Sequence, residues 1–354
     1  MGSPDRGWGQ VNPVPAVSAP STGPDSISIV EILWADQWRA APERGPMPSR
    51  IPAICTAVAL ILTPAWLIVT NPAVPRSHPL LPSLLAVSLL SGLLVVALLL
   101  RSRRRDVRVG RRRAVLQGLA ALLVIGVMAA LTWLAPFPFR DDAGRLGEGV
   151  ALVDVGLVED ATSITLVPTG NASEAVTRGL VFYPGARVEA LAYVPLLAEV
   201  AREGTLVVVL KEPLGISLVD SAQAGPVMEA HPEVVTWAVG GHSLGGVSAS
   251  IFAAGDADVS GLLLWASYPL DDLSGSSLEV LSVSGSEDGL STRADITASR
   301  ELLPAGARST EVPGGVHAFF GDYGHQPGDG VATAGRDAVQ ADIIEATLAF
   351  IESL

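Results

Sequence analysis

The chain is almost without cysteine. Its 354 residues include one, Cys55, set in an apolar stretch. A single thiol excludes an intramolecular disulfide and any multi-cysteine metal site, and it leaves the redox compartment open. Histidine is sparse as well, with five residues, and none falls in a metal-ligand spacing. A phosphate-cradling loop is also missing, because Gly314-Gly315 is too short a pair for that purpose. The sequence therefore predicts no cofactor and no metal.

Positive charge is missing where a nucleic-acid binder would need it. Residues 1–139 carry 13 Lys/Arg against 6 Asp/Glu, whereas residues 140–354 carry 10 against 30. The acidic part has no basic stripe, which excludes a nucleic-acid partner. The asymmetry predicts a basic, membrane-associated part followed by an acidic soluble part.

Charge of either sign is absent from three long apolar runs, 51–70, 80–100 and 114–134. Each approaches the ~20 residues that cross a ~30 Å hydrocarbon core. They predict three transmembrane helices within residues 51–134. Pro64 is compatible with a membrane helix, where neighbours satisfy the freed carbonyl. A cleaved signal peptide is excluded by the late start of the first run and by the two that follow. Between the second and third runs, residues 101–113 hold eight arginines and one aspartate. Such a loop stays in the cytoplasm. The N-terminus is then inside, the loop 71–79 outside, and Trp133 near the outer end of the third run. The expected place is the cytoplasmic membrane, multi-pass, with the acidic domain on its extracytoplasmic side. Residues 1–50, rich in Pro, Gly and Ser, read as a disordered tail in which Ser28 to Ala40 can form a short helix near the membrane surface. Residues 135–160 read as a linker and domain start, stiffened by Ala135-Pro136-Phe137-Pro138-Phe139.

Residues 161–354 alternate two kinds of pattern. Strands are expected at 163–168, 179–183, 205–210, 237–240, 261–266, 278–284 and 309–312, and helices at 189–203, 244–254, 293–303 and 337–353. Runs such as Leu206-Val207-Val208-Val209-Leu210 are apolar throughout, as in parallel strands buried on both faces. The fold class that follows is α/β, a mostly parallel doubly wound sheet flanked by helices.

Within this domain, Gly241-His242-Ser243-Leu244-Gly245 matches G-x-S-x-G. An apolar strand precedes it and a small-residue helix follows, the strand–turn–helix setting of a nucleophile elbow. Gly241 and Gly245 supply positions without bulk. A serine hydroxyl needs a base, and the base an orienting acid. Downstream, Gly285-Ser286-Glu287-Asp288-Gly289 follows one strand, and Glu311-Val312-Pro313-Gly314-Gly315-Val316-His317 follows the last. Asp288 is preferred to Glu287 because Asp-Gly marks the turn itself. His325 is a rival base, Asp322 and Asp220 rival acids, and His242 a packing residue turned away from substrate. His231 and His78 read as surface residues. An oxyanion hole needs two backbone amides. Leu244 offers one, and Ala186 the other, in the turn Pro184-Gly185-Ala186-Arg187 after an early strand. Tyr183 either lines the pocket or packs.

Together, Tyr183-Pro184-Gly185-Ala186, Gly240 to Gly246, Ser267-Tyr268-Pro269, Gly285 to Gly289 and Gly314 to Gly324, continuing into Gln326-Pro327-Gly328-Asp329-Gly330, resemble the α/β-hydrolase superfamily. The resemblance covers about residues 160–354 and is nearest a compact bacterial serine-hydrolase branch akin to the dienelactone-hydrolase group. Dienelactone hydrolases use cysteine where this chain has Ser243. The resemblance implies the chain order serine, acid, histidine, hence Ser243, Asp288 and His317, and a reaction through an acyl-enzyme on small-molecule or lipid esters or thioesters. The interval between the strands ending at Ala266 and starting at Leu278 has an ordinary loop length. It leaves no room for a large lid and predicts a preference for short acyl groups. An acyltransferase with the same residues, or a non-catalytic binding module of this fold, are the alternatives. The oligomeric state is not legible.

Overall fold

The computed structural model describes residues 50–102, 111–142, 144, 146, 152–169 and 176–354. The chain divides into Met1–Pro48 and Ser49–Leu354. The expected tail, Arg50 apart, and the centre of the arginine loop, 103–110, lie outside the described residues.

Three long helices come first: α1 (Ile51–Thr70), α2 (Leu80–Arg101) and α3 (Arg111–Trp133). All three are long and apolar enough to cross a membrane, and only 17%, 11% and 17% of their most apolar windows are buried. Apolar surface on that scale suits lipid tails better than water. Pro64 lies inside α1, which continues through it. Gly92 of α2 lets α1 approach closely, since a Cβ there would meet Ile61 Cγ1 at 2.7 Å. At one end of the bundle the Arg50 guanidinium donates to the Ser102 carbonyl. At the other end Leu67, Val74, Leu81, Leu85, Met128 and Leu131 form a small core.

The remaining residues build one eight-stranded sheet. Its strands are β1 (Val155–Glu159), β2 (Ser163–Pro168), β3 (Arg178–Tyr183), β4 (Thr205–Leu210), β5 (Thr236–His242), β6 (Val259–Trp265), β7 (Glu279–Gly285) and β8 (Arg308–Val312). Their order is β1-β2-β4-β3-β5-β6-β7-β8. β2 pairs antiparallel with β1 and with β4, and all other pairs are parallel. The helices are α4 (Val194–Arg202), α5 (Ala224–Ala230), α6 (Leu244–Gly255), α7 (Arg293–Ser299) and α8 (Arg336–Glu352). Every residue of β4 is buried, because one core lies on each face of the sheet.

The expected doubly wound sheet is the one that forms. β1 was not expected. It is a partly exposed edge strand in which Gly156 and Glu159 dilute the apolar pattern. α5 escaped because Gly225 and Pro226 weaken its helical signature.

The sheet's C-terminal edge rests on the end of the bundle. Phe137, just past α3, bridges Val188 in the turn region after β3. The Glu189 amide donates to the Phe137 carbonyl at 3.0 Å. Arg76 Nε lies 2.9 Å from Glu189 Oε1. Leu214, from the loop after β4, packs against the bundle core.

Candidate functional site

Ser243 joins β5 to α6 with φ 54° and ψ −124°. A serine in that region stores strain of about 1–3 kcal/mol, and surrounding structure must hold it there. Its amide donates to the Trp265 carbonyl at 2.9 Å. Its carbonyl accepts from the Ser267 hydroxyl at 2.6 Å. The glycines serve close approach. A Cβ on Gly241 would sit 2.4 Å from the Gly245 carbonyl carbon, and one on Gly245 would sit 2.1 Å from the Tyr183 carbonyl oxygen. The strained residue of the elbow is thus the serine, and the glycines leave it room. Ala266 (φ 45°), Arg187 (φ 62°) and Leu214 (φ 56°) share the left-handed conformation, all on loops at the same edge of the sheet.

Asp288 and His317 meet across two loops of that edge. His317 Nδ1 lies 2.9 Å from Asp288 Oδ2, with both side chains almost wholly buried. The second Asp288 oxygen accepts the Leu290 and Ser291 amides, each at 2.8 Å. Those bonds fix the carboxylate with one oxygen facing the imidazole. A proton on Nδ1 is then held by Asp288, which leaves Nε2 of the neutral ring as the acceptor. Nε2 is buried and makes no hydrogen bond. No hydrogen bond therefore joins His317 Nε2 to Ser243. His242, the residue before Ser243, has its ring 4.5 Å from that of His317.

The turn after β3 is arranged around two amides. The Gly185 amide is occupied, donating to the Tyr193 hydroxyl at 2.9 Å. The Arg187 amide donates to the Gly215 carbonyl at 2.7 Å. Among the described residues, the Ala186 and Leu244 amides donate to nothing. Tyr183 packs: it is fully buried, donates to the Ser221 carbonyl and accepts the Ala224 amide.

Other sequence candidates lie elsewhere. His325 is exposed. Asp322 accepts from Gln340 Nε2 at 3.0 Å and lies 3.5 Å from Arg336 Nη1. Asp220 caps the turn at Ala222. Glu287 pairs with the Ser286 hydroxyl. His242 does pack, stacked on Phe320, but it also has a polar role. Its Nδ1 lies 2.8 Å from the Tyr193 hydroxyl. That hydroxyl also accepts the Gly185 amide. Burial, then the neighbouring His317 charge, hold the His242 pKa well below its ordinary value, so the ring stays neutral.

Three residues were not anticipated. Asp329 accepts the His317 amide (3.1 Å), the Ala318 amide (2.8 Å), the Gly330 amide (2.7 Å) and the Gly289 amide (3.3 Å). One carboxylate thus ties the His317 segment to the Asp288 loop. Its only sequence signal was a place in Pro327-Gly328-Asp329-Gly330. Tyr193 sits in an apolar helical turn that reads as core. Glu212 follows β4 and is buried with neither carboxyl oxygen hydrogen-bonded. Burial pushes its pKa well up, and the Ser217 backbone opposes this only in part. Among the described residues no group of three or more His, Cys, Asp or Glu can hold a metal ion.

No curated protein matches this chain. The model of the alpha/beta hydrolase family matches residues 179–341, and the sheet that contains them, with its helices and the elbow at Ser243, is an α/β-hydrolase domain preceded by three helices able to span a membrane.

Proposed function

We propose that this protein is a membrane-anchored serine hydrolase that cleaves carboxylic esters or thioesters through an acyl-enzyme. The observation that carries this reading is the buried His317–Asp288 pair at 2.9 Å, on the same edge as the strained Ser243. In the reading, His317 Nε2 takes the Ser243 proton as Oγ attacks the acyl carbon. Asp288 steadies the imidazolium that forms. The Ala186 and Leu244 amides, both without other partners, receive the developing oxyanion. His317 then returns the proton to the leaving alcohol or thiol. Water, deprotonated by the same nitrogen, releases the acid. The absence of a long lid between β6 and β7 favours short acyl groups and the compact, dienelactone-hydrolase-like branch.

The anchoring is read from α1, α2 and α3. Arg50 and Ser102 share the bundle end opposite to the one that carries the domain. With the arginine-rich loop held in the cytoplasm, the domain faces the extracytoplasmic side of the cytoplasmic membrane. A C-terminal fusion to a reporter active only in the cytoplasm should stay silent.

The deciding experiment is labelling of the full chain by a fluorophosphonate probe, together with hydrolysis of short-chain nitrophenyl esters. Both should be lost in Ser243→Ala. A wild-type protein inert to probe and esters would sink the enzyme reading and leave a binding module.

A further inference from the structure

The loops that frame Ser243 are the loops that touch the bundle. Arg187 follows Ala186 directly, and its guanidinium lies 4.7 Å from the Trp133 ring centroid and 4.9 Å from that of Phe137, at the end of α3. Its backbone amide is bonded to Gly215. Gly215 follows Leu214, whose side chain packs on the core formed by Leu67, Leu81, Leu85, Met128 and Leu131. Two residues later, the Ser217 hydroxyl donates to the Leu244 carbonyl at 3.1 Å. A short run of chain, Leu214 to Ser217, thus separates the apolar end of the bundle from the elbow.

This frame carries large exposed apolar side chains, set among the exposed aspartates Asp220, Asp271 and Asp272. Leu218 and Val219, adjoining Ser217, are 45% and 57% exposed. Leu270 is 63% exposed, three residues after Ser267, which donates to the Ser243 carbonyl. Each such side chain exposed to water leaves apolar surface unburied, and the loops that bear them are tethered to one serine. Arg187, next to Ala186, packs on Trp133, and an interfacial aromatic marks the headgroup zone, so a bilayer surface at that level lies beside the frame of Ser243.

We propose that the substrate is an amphiphilic ester held in the adjoining leaflet, its anchor on the alcohol and its short acyl group delivered to Ser243 from the membrane surface. This rests on the serine-hydrolase reading above. Ester bonds at the headgroup level lie at the depth of Trp133, and Leu218, Val219 and Leu270 receive the chain side of the amphiphile as it rises. Hydrolysis consumes one water and gives the short carboxylic acid and the anchored alcohol, which returns to the leaflet.

The test uses the full chain reconstituted in vesicles of ether-linked phosphatidylcholine. The probe is a dialkylglycerol bearing one butyryl ester, the sole ester present. It is placed either in the same vesicles as the protein or in separate ones. Sharing one membrane raises effective concentration, so same-vesicle hydrolysis should be at least about tenfold faster. The triple variant Leu218→Ser, Val219→Ser, Leu270→Ser should lose about tenfold on the vesicle probe while soluble nitrophenyl butyrate is cleaved within about twofold of wild type. Equal rates in the two vesicle arrangements, or a vesicle rate unmoved by the triple variant, overturn the proposal while soluble-ester cleavage preserves the hydrolase reading. Loss of soluble-ester cleavage and probe labelling in the wild type overturns that reading itself.

Discussion

The imidazole rings of His242 and His317 lie 4.5 Å apart, and only the second is paired with a carboxylate. Two cationic rings so close would repel strongly. Burial, then His317, hold the His242 pKa well below its ordinary value, which keeps its ring neutral. An uncharged His242 leaves room for His317 to carry the proton, as the proposed mechanism requires.

A pH dependence follows from the depressed His242 pKa. The unfolded chain takes up a proton near the ordinary value of 6.5, and the native ring refuses it. The stability tied to this ring is therefore complete above that value and falls away as pH drops below it. His242→Phe should flatten this part of the acid slope when thermal midpoints are followed over roughly pH 5 to 8. An unchanged slope would assign the titration to another group.

Glu212 has the opposite sign. Its raised pKa means the unfolded carboxyl ionises first as pH climbs above the ordinary value of 4.5. Its contribution is present below that value and lost as pH rises toward the folded one. Glu212→Gln should thus raise the thermal midpoint at mildly alkaline pH by about 2–4 °C for each kcal/mol relieved. Near the acid end of the window the gain should vanish.

Asp329 accepts four amides and touches no reacting atom in the proposed mechanism. Asp329→Ala should lower kcat by about a hundredfold, since small misplacements of a base have effects of that size. KM should stay near wild type. Asp329→Asn keeps one acceptor oxygen and should recover part of the loss. Steady-state kinetics on a short nitrophenyl ester, with fluorophosphonate labelling rates, separate this from unfolding.

Gly245→Ala places a methyl against the carbonyl oxygens of Tyr183 and Pro184, at 2.1 and 2.3 Å, both backbone. Neither can swing aside, so the elbow and the turn after β3 must part. Overpacking of this kind costs about 1–3 kcal/mol or more. Esterase activity should fall below detection even at temperatures where circular dichroism shows the fold intact. Gly255→Ala, with nothing within 4 Å of the added methyl, is the control.

Much of the fold was legible because its signals are local. Leu206–Leu210 of β4 and Leu262–Trp265 of β6 read as unbroken apolar runs, and α6 as small residues after a Gly-x-Ser-x-Gly turn. β1 and α5 were not, because edge exposure and Gly225-Pro226 erase the pattern that burial imposes elsewhere. Asp288 and His317 could be named from their places after β7 and β8. Asp329 could not be singled out, since its partners lie up to 40 residues away. Glu212, two residues past β4, carries no local mark of its burial.

The sequence by itself determined the three apolar helices, the alternating strands and helices, and the serine at the sharp turn, because each is written in the periodicity or composition of a contiguous segment. Only the tertiary structure decided the rest: that His242 lies bonded to Tyr193 beside His317, that Asp329 ties two distant loops together, and that the edge bearing Ser243 rests on the helical bundle. These depend on which strand ends come together when the sheet closes over its two cores, and residues far apart in the chain carry no local mark of that meeting.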